Sequence, residues 1–114
     1  MNKDKTTWQI LFYEDHRGKS PALEYINSLP PRDKVKISNI LRLLEEFGTA
    51  LGMPHARRIE GKLWELRPGD NRLFYCLYDG RQFVILHGFR KKTMQTPEKE
   101  IHTALRRMNE LLEK

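Results

Sequence analysis

Cysteine is almost missing from this chain. Cys76 is the only one, which excludes an internal disulfide and a cysteine-based zinc site. No apolar run approaches the roughly 18 residues of a membrane span, and the leading residues Met1 to Trp8 lack the apolar region of a signal peptide. A cytoplasmic protein without membrane contact is therefore expected. His16, His55 and His102 are scattered with no metal-ligand spacing, and the carboxylate cluster of a two-metal nuclease is absent, so neither metal nor other cofactor is expected. Repeats, low-complexity tracts and linkers are also lacking. The 114 residues read as one domain, 1–114.

Positive charge is present in excess, and it is unevenly spread. The net charge of +6 comes from 21 basic and 15 acidic residues. Residues 57–92 hold nine basic side chains against four acidic ones, whereas the segments before and after are nearly balanced. Such a concentration suits a polyanion, although a solubilising surface has the same composition.

Trp8 to Tyr13 reads as a strand, followed by a polar turn. Ser20-Pro21 caps a short helix to about Ser28, and Pro30-Pro31 opens a second. The apolar stripe Ile37, Ile40, Leu41, Leu44 and Phe47 runs along this second helix to Gly48. From residue 57 the period becomes two. Strands are expected within Arg57 to Arg67, over Asn71 to Tyr78 and over Gln82 to Phe89. Thr96-Pro97-Glu98 caps a last helix with the stripe Ile101, Ala104, Leu105, Met108, Leu111 and Leu112. The order is β-α-α-β-β-β-α, an α+β fold with an antiparallel meander and an N-terminal strand packed against helices.

Asp79-Gly80 predicts a type I′ turn with positive φ at both positions, which pairs Tyr75 with Val84, Leu73 with Leu86 and Arg72 with His87. Treating Pro68-Gly69 alike pairs Arg67 with Asp70, Trp64 with Leu73 and Glu65 with Arg72. The alternative, a four-residue loop, opposes Arg67 to Arg72, an unfavourable like-charge pair. One sheet face then carries Trp64, Leu66, Leu73, Tyr75, Leu77, Val84 and Leu86. The other carries Leu63, Phe74, Cys76, Phe83 and Ile85, then a row of Glu65, Arg72 and His87, with Arg67 at its edge. Tyr75, Trp8 and Trp64 read as core, and Cys76 as packing.

A carboxylate, a guanidinium and an imidazole beside a basic tail suit RNA cleavage by the 2′-hydroxyl. Glu65 or His87 could be the base, Arg72 the phosphate clamp, and His87 or a lysine of Lys91-Lys92 the acid. A cross-strand salt bridge with a half-buried histidine is the structural alternative.

Leu63-Trp64-Glu65-Leu66-Arg67, Asn71-Arg72-Leu73-Phe74-Tyr75 and Ile85-Leu86-His87-Gly88-Phe89-Arg90-Lys91-Lys92-Thr93, with Thr96-Pro97 before the last helix, resemble the phage-derived HigB-like branch of the RelE/ParE toxins. The resemblance implies a toxin that cleaves mRNA in the ribosome. It also implies a cognate helix-turn-helix antitoxin of HigA type, through which alone DNA would be reached. It places Glu65, Arg67, Arg72, His87, Arg90, Lys91 and Lys92 where relatives hold functional groups. Glu65, Arg72, His87 and Lys91 are the expected catalytic residues, and Arg67, Arg90 and Lys92, with Lys62, Arg57 and Arg58 from the basic segment, the expected RNA-binding ones. Many relatives carry a tyrosine or histidine near the C-terminus; residues 94–114 hold no tyrosine, and their only histidine is His102, midway along the last helix. Rival readings are a ParE-type gyrase poison and a non-catalytic RNA- or ribosome-binding module.

Overall fold

The computed structural model describes residues 7–113; residues 1–6, scanned above for a signal segment, and residue 114 lie outside them. The elements are β1 (Gln9–Phe12), α1 (Pro21–Asn27), α2 (Pro31–Phe47), β2 (Ala56–Glu60), β3 (Leu63–Leu66), β4 (Asn71–Asp79), β5 (Gln82–Arg90) and α3 (Glu98–Leu112). Five strands form one mixed sheet in the order β1-β5-β4-β3-β2, with β1 parallel to β5 and the other neighbours antiparallel. The α+β meander fold read from the sequence is present, with one strand more than expected. Gly61-Lys62 turns the chain inside the segment 57–67, so Arg57 and Glu65 pair across two short strands.

Local chemistry accounts for the helices. The Ser20 hydroxyl accepts the Leu23 N–H at 3.3 Å, and Pro21 takes the first helical position of α1. Pro31 opens α2, and Gly48 ends it at φ 55°. The apolar stripe of α2 (Ile37, Ile40, Leu44) packs with Ala22 and Ile26 of α1 on Leu66, Leu73, Tyr75, Phe83 and Ile85. Helix α3 covers the opposite face through Ala104 and Met108, on Leu63, Phe74, Cys76, Val84, Leu86 and Phe89. Helices thus sandwich the sheet from both sides. Among the described residues, no helix is long and apolar enough to cross a membrane.

Both hairpin registers differ from the sequence-based ones, for one shared reason. Asp79 pairs with Gln82, so the turn residues are Gly80-Arg81. Gly80 has φ 52°, and no non-glycine residue among those described has positive φ. The type I′ demand at Asp79 is therefore not met; glycine takes the first central position, as in a type II′ turn. At the other hairpin Asn71 N–H donates to Pro68 O at 3.1 Å, which again makes glycine, Gly69, the first central residue. Each turn lies one residue later than expected, so each partner shifts by two. Arg72 pairs with Phe89, Phe74 with His87, and Glu65 with Phe74. An even shift preserves facing, and Glu65, Arg72 and His87 share one face although not one row.

Residues 83–86 swap faces instead. Irregularities between Leu77 and Asp79 and between Phe74 and Tyr75 move the intervening pairs by one, giving Tyr75–Ile85 and Cys76–Val84. Phe83 and Ile85 therefore join the α1–α2 core, while Val84 and Leu86 lie under α3.

The turn assignment is directly testable. An alanine at left-handed φ costs about 1–2 kcal/mol, so Gly80→Ala should lower the unfolding free energy obtained from urea titration by about that amount, while Asp79→Ala leaves it nearly unchanged. The reverse ranking would restore the expected turn.

Candidate functional site

Glu65 lies on the short interior strand β3, between β4 and the edge strand β2, and is wholly buried. Its carboxylate is surrounded by guanidinium groups from three different strands or strand ends. Arg57 Nε donates to Oε1 at 3.2 Å, and Arg67 Nε and Arg72 Nε each stand 4.0 Å from the same oxygen. Thr96, just before α3, donates its hydroxyl to Oε2 at 3.3 Å and accepts from Arg57 Nη2 at 3.4 Å. One carboxylate thus binds three cations, an excess of two positive charges.

The three arginines differ in depth. Their side chains are 43%, 24% and 8% exposed for Arg57, Arg67 and Arg72 respectively. Arg72 Nη1 donates to Gly69 O and to Asn71 O, both at 2.8 Å, which fixes its plane. Burial draws the Arg72 pKa down and Glu65 opposes the shift. A guanidinium remains charged nonetheless. The hairpin register sets Arg67 and Arg72 across the loop, the like-charge arrangement that pairing rules alone disfavour; Glu65 supplies the missing counter-charge.

His87 occupies a separate setting on the same face. Phe74 stands between it and Glu65, which puts the two strands about 10 Å apart. The imidazole stacks with Phe74 and Phe89 at centroid distances of 6.2 and 5.8 Å. Nε2 lies 2.7 Å from Glu100 Oε1, and Arg107 Nη1 approaches Nδ1 at 3.2 Å. Arginine can only donate, so Nδ1 accepts and the ring proton sits on Nε2, directed at Glu100. The expected row of Glu65, Arg72 and His87 is therefore two clusters, one around Glu65 and one reaching into α3.

The remaining basic residues divide by position. Arg90 contacts Asp33 and Asp70, each at 3.7 Å, and Lys91 N–H donates to Asp70 O. Lys91 is half-buried and Lys92 exposed, just beyond β5 at the sheet end that holds Arg57, Arg67 and Arg72. Two candidates do not gather there. Arg58 pairs with Trp64 and donates to Gly61 O at 2.9 Å rather than to Glu65, reaching only the outer cleft beside Arg57 and Thr96. Lys62 sits at the far turn, lining a groove with Trp64, Tyr75 and Leu77. Cys76 is buried, its thiol pushed up to about 11 by desolvation, and no group of metal-ligating residues occurs among the described residues.

A family model described as "Phage derived protein Gp49-like (DUF891)" matches residues 24–109. The chain belongs to the phage-derived Gp49-like family. The matched stretch of this Gp49-like protein includes both clusters. No curated protein sequence matches it. Among solved structures, a chain of the toxin–antitoxin complex RelBE2 from Mycobacterium tuberculosis shares its fold at a TM-score of 0.56 and 18% identity. That match covers 75% of the Gp49-like chain and 99% of the other.

Three site residues escape a reading of the sequence. Thr96 looks like a helix cap, yet α3 has no side-chain cap and the hydroxyl serves Glu65. Glu100 and Arg107 look like solvated charges of an amphipathic helix. Their spacing of seven, beside the stripe Ile101, Ala104 and Met108, was the available signal, since it puts both near the sheet-facing side.

Burial, the leading cause, holds the His87 pKa below its ordinary 6.5 despite Glu100. The unfolded chain then takes up a proton at a higher pH than the folded one, so stability present above 6.5 is lost as pH falls below it. Urea unfolding between about pH 7 and 5 should show this loss in the wild type and less of it in His87→Gln. A wild-type midpoint that rises on acidification would contradict the neutral, buried imidazole.

Proposed function

We propose that this chain is the toxin of a type II toxin–antitoxin pair, of HigB type, and cleaves mRNA on the ribosome. The observation that carries the reading is the convergence of Arg57, Arg67 and Arg72 on buried Glu65 at the basic end of the sheet. Family membership and a fold shared with a chain of a toxin–antitoxin complex support it. The partners are then mRNA, the ribosome and a cognate HigA-like helix-turn-helix antitoxin that shields the basic end.

In this reading the RNA 2′-oxygen attacks the adjacent phosphorus and the P–O5′ bond breaks, leaving a 2′,3′-cyclic phosphate and a 5′-hydroxyl. The attacking hydroxyl gives up one proton and the departing 5′-oxygen gains one. The arginine cluster stabilises the charge that builds on the phosphorane. Glu65 acts through the arginines by fixing their heads. His87 and Glu100 are the proton-carrying pair, while Lys91, Lys92 and Arg90 hold neighbouring phosphates.

Arg72 separates this reading from a merely structural cluster. Its planar fork, tied to two carbonyls, cannot be replaced by a point charge. Arg72→Ala and Arg72→Lys should each reduce mRNA cleavage by about a hundred- to thousand-fold, the usual loss for a transition-state contact. Primer extension after induced expression measures it, with circular dichroism and antitoxin binding as folding controls. A folded Arg72→Ala protein that cuts at the wild-type rate would refute the role, and DNA breaks with intact mRNA would support the gyrase-poison alternative.

A further inference from the structure

Two of the most exposed apolar side chains of the described residues lie beside the arginine cluster. Met53 is 63% exposed and Met94 is 87% exposed. Arg67 Nη1 donates to Met53 Sδ at 3.5 Å. Met94 lines a shallow cleft of about 310 Å³ with Arg57, Arg58, Gln95 and Thr96. Arg57 and Arg67 meet at one oxygen of Glu65, so Met53 touches one of two guanidiniums that share a counter-ion and Met94 lines a cleft beside the other.

Two exposed methionines beside one cluster of cations are the kind of flexible side chain that binding surfaces use, and the surroundings specify the partner's chemistry. A phosphate suits the excess of two positive charges and the forked donors. A methionine is flexible and polarisable, and its sulfur packs favourably on flat π systems. The ligand that offers an anion and flat π faces within one residue is a nucleotide whose bases are unstacked. A duplex presents the same phosphates but hides the faces in its own stack.

We infer that Met53 and Met94 are base-contacting subsites on either nucleotide flank of the phosphate held by Arg57 and Arg67, which makes the preferred ligand a single strand. This rests on the phosphate-binding reading above and adds to it how the site tells an unpaired strand from any other polyanion. The contact requires no particular base, because every base has a π face.

The test uses the full chain and fluorescent oligonucleotides: a 2′-O-methyl single strand that cannot be cleaved, an abasic strand of equal length and charge, and the matching duplex. The wild type should bind the base-bearing single strand about tenfold more tightly than either of the others, within the range that two sulfur–π contacts can supply. In the Met53→Ala, Met94→Ala double variant that preference should fall to about unity, while the slope of log K against log salt stays the same because phosphate contacts remain. Equal wild-type binding of abasic and base-bearing strands, or a preference that survives in the double variant, would overturn the inference. The phosphate-binding reading would still stand in either case, with the methionines left to a protein partner. Failure of every strand to bind would sink both.

Discussion

A carboxylate removed from water is stable only when its charge and lone pairs are answered, and Glu65 is answered several times over. Two rim arginines, one deep arginine and a threonine hydroxyl surround it. These groups come from β2, the ends of β3 and β4, and the loop before α3, so a single anion ties together the sheet's basic end. The dependence runs both ways. Without Glu65 the three guanidiniums would repel one another, and the hairpin that sets Arg67 across from Arg72 would carry an unanswered like-charge pair. Breaking such a buried pair by removing one partner typically costs about 3–5 kcal/mol.

Helix α3 gives the site its second half. The Thr96 hydroxyl engages Glu65 and, one helical turn further on, Glu100 engages His87, with Arg107 behind it. The same helix seats Ala104 and Met108 on the sheet. Its packing therefore sets the geometry of both clusters, and the tautomer of His87 follows from which groups of α3 reach the ring.

Much of this was legible in the residues. Proline and glycine at element ends, the stripes of α2 and α3, and the period of two after residue 57 place the helices and strands. That Glu65, Arg72 and His87 share a face followed from strand alternation and survived an error in both turns, because a shift of two leaves facing unchanged. The row itself is different, since Phe74 takes the place of Arg72 between Glu65 and His87, and Arg72 faces Phe89. Phe83 to Leu86 face opposite to simple alternation because a bulge leaves no mark in a hydrophobic pattern where every residue is apolar. The role of Glu65 as a hub was hidden for a different reason. Arg57 reaches it from a strand whose existence depends on Gly61-Lys62 being a turn, and Thr96 reaches it through a loop that no pairing rule describes.

Glu65 gathers three guanidiniums around one anion, and this has a consequence opposite to simple electrostatics. Glu65→Gln raises the net charge by one and should, by charge alone, tighten RNA binding. If the carboxylate fixes the guanidinium heads, the variant should instead bind an uncleavable single-stranded RNA about tenfold more weakly, roughly 1.4 kcal/mol. The measurement is the Kd of both proteins at one salt concentration, with circular dichroism to establish that the variant is folded. Equal or tighter binding by folded Glu65→Gln would contradict the account, and the arginines would then act as independent surface charges.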